Sequence, residues 1–342
     1  MVLVLGAGKM GVAIAHDLRQ HGVETRICDM REVDVPHFFL MDVRDEGTLI
    51  KEMKKEEVVV SSLPYDFNHR LATLAIQTGT SFIDLGGNSE IVSRELTLHG
   101  DAKKKGITII PDCGLAPGMT NIIAHHLWEN GADEIHIRVG GLPQAPKPPL
   151  QYALFFSIHG LINEYLEDSI IIKNGKRKEE ESLTGLEMLT FEGFPELEAF
   201  YTHGGTSTLP ETLTGIRELD YKTIRYRGHA EKIMLLKQLG FFDAEVREFT
   251  ERVLEEALPK RVKDVVLARV YSSEGVIEMM DYYDERDNFS AMARTTGFPT
   301  SIIALMILNG DIEAGAYPPE LAVDYHAFID ELKKRGIHWD EK

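Results

Sequence analysis

Cysteine is scarce in this sequence: the 342 residues contain two, Cys28 and Cys113. Two thiols so far apart make no disulfide framework, and no Cys or His pairs stand at the close spacing of a structural zinc site. His125 and His126 are adjacent, so on a helix they point in different directions, and no metal site is expected. Basic residues are also few, 37 Lys and Arg against 55 Asp and Glu, for a formal net charge of −18. So acidic a surface repels phosphate backbones and anionic lipids. Nucleic acid and membranes are therefore poor partners, although a local site for an anionic small molecule is not excluded. Apolar runs stop short of the ~18 residues that span a bilayer, and no basic-then-apolar leader opens the chain. The expectation is a cytoplasmic protein. There are no internal repeats and no low-complexity tracts.

The length suffices for two or three domains with real cores. Through about residue 131, short apolar strands alternate with amphipathic helices: "VLVL", "TRICD", "HFFLMDV" (37–43), "EVVVSS", "SFIDL" and "ITIIPD". Six strands in βαβ units imply a doubly wound parallel sheet, a Rossmann-type α/β domain. From about 132 to 290 the segments lengthen and an Asn-Gly hairpin signal appears at Asn174-Gly175, which suggests an α+β domain with a mostly antiparallel sheet. Residues 291–342 read as a helical segment, apolar over much of its surface, that returns to the first domain.

"LVLGAGKMG" places Gly6, Gly8 and Gly11 in the G-x-G-x-x-G spacing. The first glycine makes the tight turn, the second lets a pyrophosphate approach, and the third lets the helix pack on the strand. The N–H groups of the helix start, around Lys9 and Met10, complete the phosphate cradle. Asp29 ends the second strand, where an acid bonds the ribose hydroxyls of NAD and disfavours a 2′-phosphate; Arg31, two residues on, would serve a phosphate instead. Cys28 reads as a buried small hydrophobe. Asp42 and Val43 end the third strand and flank the adenine in this reading.

Ligands of such a sheet lie beyond the carboxyl ends of the strands. That rule picks out Ser62, Leu63, Pro64 and Tyr65 after the fourth strand, Asp84 at the tip of the fifth, and Cys113 and Gly114 after the sixth. Cys113 has an acidic neighbour in Asp112, which raises a thiol's pKa, and lacks any spaced metal partner. It reads as a pocket wall rather than a nucleophile.

Together, "GAGKMG", "SSLPYDFN", "FIDLGG", "DCGLAPGMTN", "THGGTSTLPET", "LDYKTIRYRGH" and "ARTTGFP" resemble the saccharopine dehydrogenase-like family over nearly the whole chain. "CGLAPG" and "TIRYRGH" are the more specific pieces. Within the family the short chain is most similar to lysine 6-dehydrogenases, which oxidise the side-chain amine of lysine with NAD.

The resemblance implies hydride transfer from a carbon bearing nitrogen, a carboxylate anchor and a proton acceptor. Arg225 in "TIRYRGH" is the expected anchor, because a guanidinium grips a carboxylate through two parallel bonds; Arg217 and Arg227 are rivals. His203 is the expected base, with His229 and His159 behind it. Thr206, Ser207, Cys113 and Tyr165 are expected around the substrate, and Asp84 takes an α-ammonium or accepts the proton. Glu164 and Tyr165 in "INEYL" fall on a helix of the second domain; two readings stand for them, facing the cleft or, by default, helix surface for Glu164 and core for Tyr165. Two further readings stay open: a secondary-amine oxidoreductase of the saccharopine or carboxynorspermidine type, and an NAD-binding sensor without turnover. A homodimer is expected, because antiparallel sheets with an exposed face often pair.

Overall fold

The computed structural model describes residues 1–341 and divides into two compact units, residues 1–126 with 293–337, and residues 127–292 with the tail from 338. The first unit opens with β1 (Val2–Leu5), β2 (Thr25–Asp29), β3 (Phe38–Leu40), β4 (Val58–Ser61), β5 (Ser81–Asp84) and β6 (Thr108–Ile110). Every residue of β1, β4 and β5 is buried, which is why these strands show apolar runs instead of alternation: a parallel strand covered on both faces has no solvent side. Helices Lys9–Gln20, Glu46–Met53, Asn68–Thr78, Ser89–Leu96, His99–Lys105 and Met119–Glu129 alternate with them. Short polar side chains set two of the starts. Asp45 accepts from the Thr48 N–H, and Asn88 from the N–H groups of Glu90 and Ile91, satisfying donors that have no intrahelical partner. The third strand is shorter than its sequence suggests: pairing stops at Leu40, and Met41 and Val43 turn into the core.

The second unit carries β7 (Glu134–Pro143), β8 (Ser169–Lys173), β9 (Lys176–Glu180), β10 (Glu187–Leu189), β11 (Leu197–Tyr201), β12 (Glu218–Tyr226), β13 (Asp264–Tyr271) and β14 (Val276–Tyr282). Its longer helices are Ile158–Leu166, His229–Gln238 and Arg247–Ala257. The chain then enters helix Ala291–Asn309, adds β15 (Gly315–Ala316) and helix Tyr325–Lys334, and ends in β16 (Asp340–Glu341).

The first sheet runs β15-β6-β5-β4-β1-β2-β3, parallel throughout. Strand order reverses between β1 and β4, which opens the crevice where ligands of such sheets bind. The seventh strand, β15, escaped the sequence reading because two residues carry no periodicity. The second sheet runs β10-β11-β12-β7-β13-β14-β16, with β8 and β9 branching from β12. Only β7 and β12 pair in parallel among its described strands.

Helix Ala291–Asn309 corrects the expectation about apolar runs. Its best 18-residue window has a mean hydropathy of 1.3, enough by length and composition to cross a membrane, but 72% of that window is buried. Within the first unit it approaches helix Lys9–Gln20 so closely that a Cβ on Gly297 would lie 3.1 Å from that of Ala13. The Ser301 hydroxyl donates to Asp17, whose two carboxylate oxygens also accept Arg335 Nε–H at 3.0 and 2.8 Å. The Thr300 hydroxyl donates to the Cys113 carbonyl at 2.8 Å.

Candidate functional site

The turn after β1 is shaped by its glycines in three different ways. Gly6 has φ 98°, and a Cβ there would meet Ser62 Oγ at 2.8 Å and the Leu63 side chain at 3.1 Å. A Cβ on Gly11 would lie 1.9 Å from the Gly6 carbonyl oxygen. At Gly8 a Cβ would meet no heavy atom within 4 Å. Two glycines are thus required by packing, and the third leaves an open approach to the backbone. Helix Lys9–Gln20 starts at Gly8 with no side-chain cap, so its N-terminus is suited to an anion. The loop is held from both sides: the Ser62 hydroxyl donates to the Gly6 carbonyl at 2.8 Å, and Asp29 Oδ2 accepts the Ala7 N–H at 2.9 Å. Asp29 Oδ1 accepts the Arg31 N–H at 3.0 Å, fixing the carboxylate at the end of β2. Arg31 is exposed. These residues fit a dinucleotide: an open glycine, an uncapped helix start and an oriented acid.

The loops after β4, β5 and β6 come together. A Cβ on Gly87 would stand 3.1 Å from the Tyr65 ring, and one on Gly86 would strike Asp112 Oδ1 at 1.6 Å. Asp84 is fully buried, with Oδ1 accepting the Gly86 N–H at 2.6 Å. This corrects the expectation that Asp84 meets an ammonium or takes a proton: its carboxylate faces inward and ties the 85–88 turn. Beside it lies Glu95, also fully buried. Asp84 Oδ2 and both Glu95 oxygens meet no N–H or O–H donor among the described residues. Two carboxyls so placed satisfy each other only by sharing a proton. Burial, and then the Asp84 charge, raises Glu95 far above the ordinary carboxylate range, so the pair carries one proton and one charge at neutral pH. Cys113 is fully buried, and burial followed by the charges of Asp84 and Asp112 pushes its thiol up. A protonated, enclosed thiol is no nucleophile, and a fully buried side chain does not itself meet a substrate or cofactor. Gly114 belongs to the same turn, where a Cβ would lie 3.3 Å from the Pro117 carbonyl oxygen.

The second unit concentrates its chemistry around Arg225. Alternation along β12 puts Arg225 on the same face as Tyr221 and Thr223, and its guanidinium is buried. The guanidinium carbon lies 4.5 Å from the Tyr152 ring centroid, a cation–π stack. Nε–H donates to Tyr165 Oη at 3.2 Å, and Nη1 donates to the Ile224 carbonyl at 2.9 Å. Tyr165 Oη lies 3.0 Å from His229 Nε2, and His229 Nδ1 lies 3.0 Å from the Leu150 carbonyl. A carbonyl cannot donate, so Nδ1 holds the proton and Nε2 accepts from Tyr165. Burial, then the Arg225 charge, lowers His229 to about 3, so the ring is neutral and the relay is fixed in one direction. Among the described residues Nη2 makes no hydrogen bond, and it lies 3.9 Å from the carboxylate oxygen Glu164 Oε2. The Glu164 side chain is 33% exposed. Loss of water around its carboxyl raises it to about 7, with Arg225 pulling the other way.

The remaining expected residues are placed otherwise. His203 puts Nδ1 2.8 Å from the Asp168 carbonyl and Nε2 3.1 Å from Glu167 Oε2, so both ring nitrogens face the protein's own 167–168 segment. That arrangement does not support the reading of His203 as the base. Thr206 is buried and donates to the Ile170 carbonyl at 3.1 Å, holding a loop rather than meeting a ligand. Ser207 is half-buried with φ 40°. Asp42 is pinned by Arg44 through bonds of 2.7 to 3.0 Å, and that partner lowers its carboxyl to about 2; Val43 packs in the core. Arg217 pairs with Asp133 and Glu134, Arg227 with Glu196, and His159 with Glu251. Of the three candidate arginines only Arg225 is buried.

The sheet order, the glycine turn and the placement of Asp29 define a pyridine-nucleotide-binding α/β protein with a second, mixed-sheet domain. The chain belongs to the saccharopine dehydrogenase family, a family of oxidoreductases: residues 2–110 match the saccharopine dehydrogenase NADP binding domain and residues 114–337 the saccharopine dehydrogenase C-terminal domain. It is 26% identical over 267 residues to the NADP(+)-dependent, L-glutamate-forming saccharopine dehydrogenase of Saccharomyces cerevisiae, covering 70% of this chain and 56% of that protein. The mitochondrial alpha-aminoadipic semialdehyde synthase of Mus musculus is 22% identical, covering 98% of this chain and 47% of the relative. The chain thus spans about half the length of the curated relatives it matches. Among solved structures, the apo saccharopine dehydrogenase of Saccharomyces cerevisiae has a TM-score of 0.78 at 18% identity, covering 100% of this chain and 99% of the other. Homospermidine synthase of Legionella pneumophila, solved with NAD, has a TM-score of 0.70 at 14% identity, covering 100% and 90%. Both share the fold.

Proposed function

We propose that the protein oxidises the ε-carbon of L-lysine, with NAD as the hydride acceptor. The observation that carries this reading is Arg225: a buried guanidinium, stacked and hydrogen-bonded in place, with Nη2 uncommitted. Such a group is preorganised for a substrate carboxylate. NAD, when bound, supplies the acceptor. The glycine turn and the start of helix Lys9–Gln20 hold its pyrophosphate, and Asp29 holds the ribose hydroxyls and disfavours a 2′-phosphate. On the substrate, the C–H bond breaks with its electron pair leaving as hydride, the nitrogen loses a proton, and a C=N bond forms. Water adds to it and ammonia leaves. The semialdehyde then closes on its own α-amine with loss of water, giving piperideine-6-carboxylate.

The test is the rise in absorbance at 340 nm with L-lysine and NAD, with ammonia measured alongside. No rise with any basic amino acid or diamine sinks the reading. Arg225→Met should lower kcat/KM for lysine about 10- to 100-fold, the range for hydrogen bonds to a charged group. Tight NAD binding without hydride transfer from any amine would favour an NAD-binding sensor. The named relatives favour a second reading, a saccharopine-type secondary-amine oxidoreductase. Reductive turnover that requires an amino-acid co-substrate in place of ammonia would select it. A cytoplasmic homodimer is part of the proposal, and sedimentation velocity checks its oligomeric state.

A further inference from the structure

Asp84, the acid expected near an ammonium, is buried in the first unit. The second unit offers another acid in a more suitable place. Glu164 projects from helix Ile158–Leu166 with a third of its side chain exposed, and its Oε2 stands 3.9 Å from Arg225 Nη2. That separation is too long for a hydrogen bond. The pair is therefore charge-matched but not closed, although Arg225 is otherwise held at Nε and Nη1. Around it stand Tyr152, Tyr165 and Tyr221, whose hydroxyls burial keeps protonated. His229 is neutral, and the backbone carbonyl of Glu164 is already occupied by the His203 N–H at 3.0 Å. Among these groups the only formal charges are the guanidinium and the Glu164 carboxylate. A fixed cation and an accessible acid, side by side among aromatic rings, match the two charges of an α-amino acid head.

We infer that Glu164 and Arg225 form an α-amino-acid subsite in which Arg225 takes the carboxylate and Glu164 the α-ammonium. The substrate class is thereby narrowed to free α-amino acids, and simple diamines or ω-amino acids are poorer ligands. The inference rests on the amine-dehydrogenase reading for the part of the substrate that reacts, but binding alone tests it. Because an ammonium selects the ionised acid, binding near neutral pH drives a proton off Glu164.

The experiment is isothermal titration calorimetry with NADH present, so that oxidation cannot run. The ligands are L-lysine, 6-aminohexanoate, which lacks the α-amine, and 1,5-diaminopentane, which keeps both amines and lacks the carboxylate. Lysine is expected to bind 6-aminohexanoate's site roughly 10- to 100-fold more tightly than that analogue does. Glu164→Gln should remove that advantage, leave 6-aminohexanoate unchanged, and abolish the proton release seen in buffers of different ionisation enthalpy. Equal losses for both ligands in Glu164→Gln, or equal affinities in the wild type, overturn the subsite. Lysine binding that obeys these expectations without NADH formation from any amine would overturn the dehydrogenase reading and keep the subsite. Absence of all binding overturns both.

Discussion

Glu95→Gln should stabilise the protein, by an amount that grows with pH. In the native state the Asp84–Glu95 pair shares one proton, because both carboxyls are fully buried and, among the described residues, Asp84 Oδ2 and both Glu95 oxygens have no hydrogen-bond partner. In the unfolded chain glutamate releases its proton near its ordinary value, about 4.3. Above that value the native state binds a proton that the unfolded state has lost, so stability falls as pH rises and the fall ends only above the raised native value. The slope for one proton is about 1.36 kcal/mol per pH unit. The wild type therefore loses about 2.7 kcal/mol from this pair between pH 6 and pH 8. Glutamine keeps a donor for Asp84 Oδ2 and never ionises, so the variant escapes that loss. Urea unfolding followed by far-UV circular dichroism at pH 5, 6, 7 and 8 reads the difference. The two stability curves should converge toward pH 5 and separate steadily above it. A constant difference from pH 6 to pH 8 would refute the shared proton, since it would mean that Glu95 carries the same charge in both states.

Arg335→Met should lower the urea midpoint by the equivalent of about 3–5 kcal/mol, because it leaves Asp17 buried without its cation, the Arg335 Nε–H donating to both Asp17 oxygens. Gly8→Ala should fold like the wild type but lose the thermal stabilisation conferred by NAD, since its Cβ meets open space. Gly11→Ala should be destabilised even without nucleotide, because its Cβ would lie 1.9 Å from a carbonyl oxygen. Cys113→Ser should keep most activity, and the native thiol should resist alkylation until the protein unfolds, because Cys113 is fully buried and its thiol is raised.

The glycine turn was legible because its information is local: a strand, three glycines and the start of a helix fall within ten residues, and Asp29 follows at the end of the next strand. Arg225 was legible by alternation, since β12 places every second residue on one face, and its rivals proved to lie in exposed ion pairs. Glu95 had a signal that went unread. It follows Val92 by three residues, which puts both on one side of helix Ser89–Leu96, and both are buried,. An acid at a core-facing position of an amphipathic helix is itself an anomaly and asks for a partner. Asp84 was misread for the complementary reason. Strand-end acids commonly face a ligand, but the turn at Gly86 returns its N–H to this carboxylate.

The Tyr165–His229 relay had no local signal at all. Its two residues lie 64 positions apart, on a helix and after a strand, and only the fold brings them to 3.0 Å. Neighbours in the chain favour His203, which stands beside two glycines. The structure ranks the histidines by what their nitrogens can still do. His203 faces a carbonyl and a carboxylate, whereas His229 accepts from the tyrosine that holds Arg225. That makes His229 a positioning residue: kept neutral, it fixes the direction of a hydrogen-bond chain ending at the guanidinium. Protonating it would remove the acceptor for Tyr165 and place a second cation beside Arg225. Its lowering to about 3 keeps that event far below physiological pH, so the anchor's geometry holds across the whole range in which Glu164 titrates.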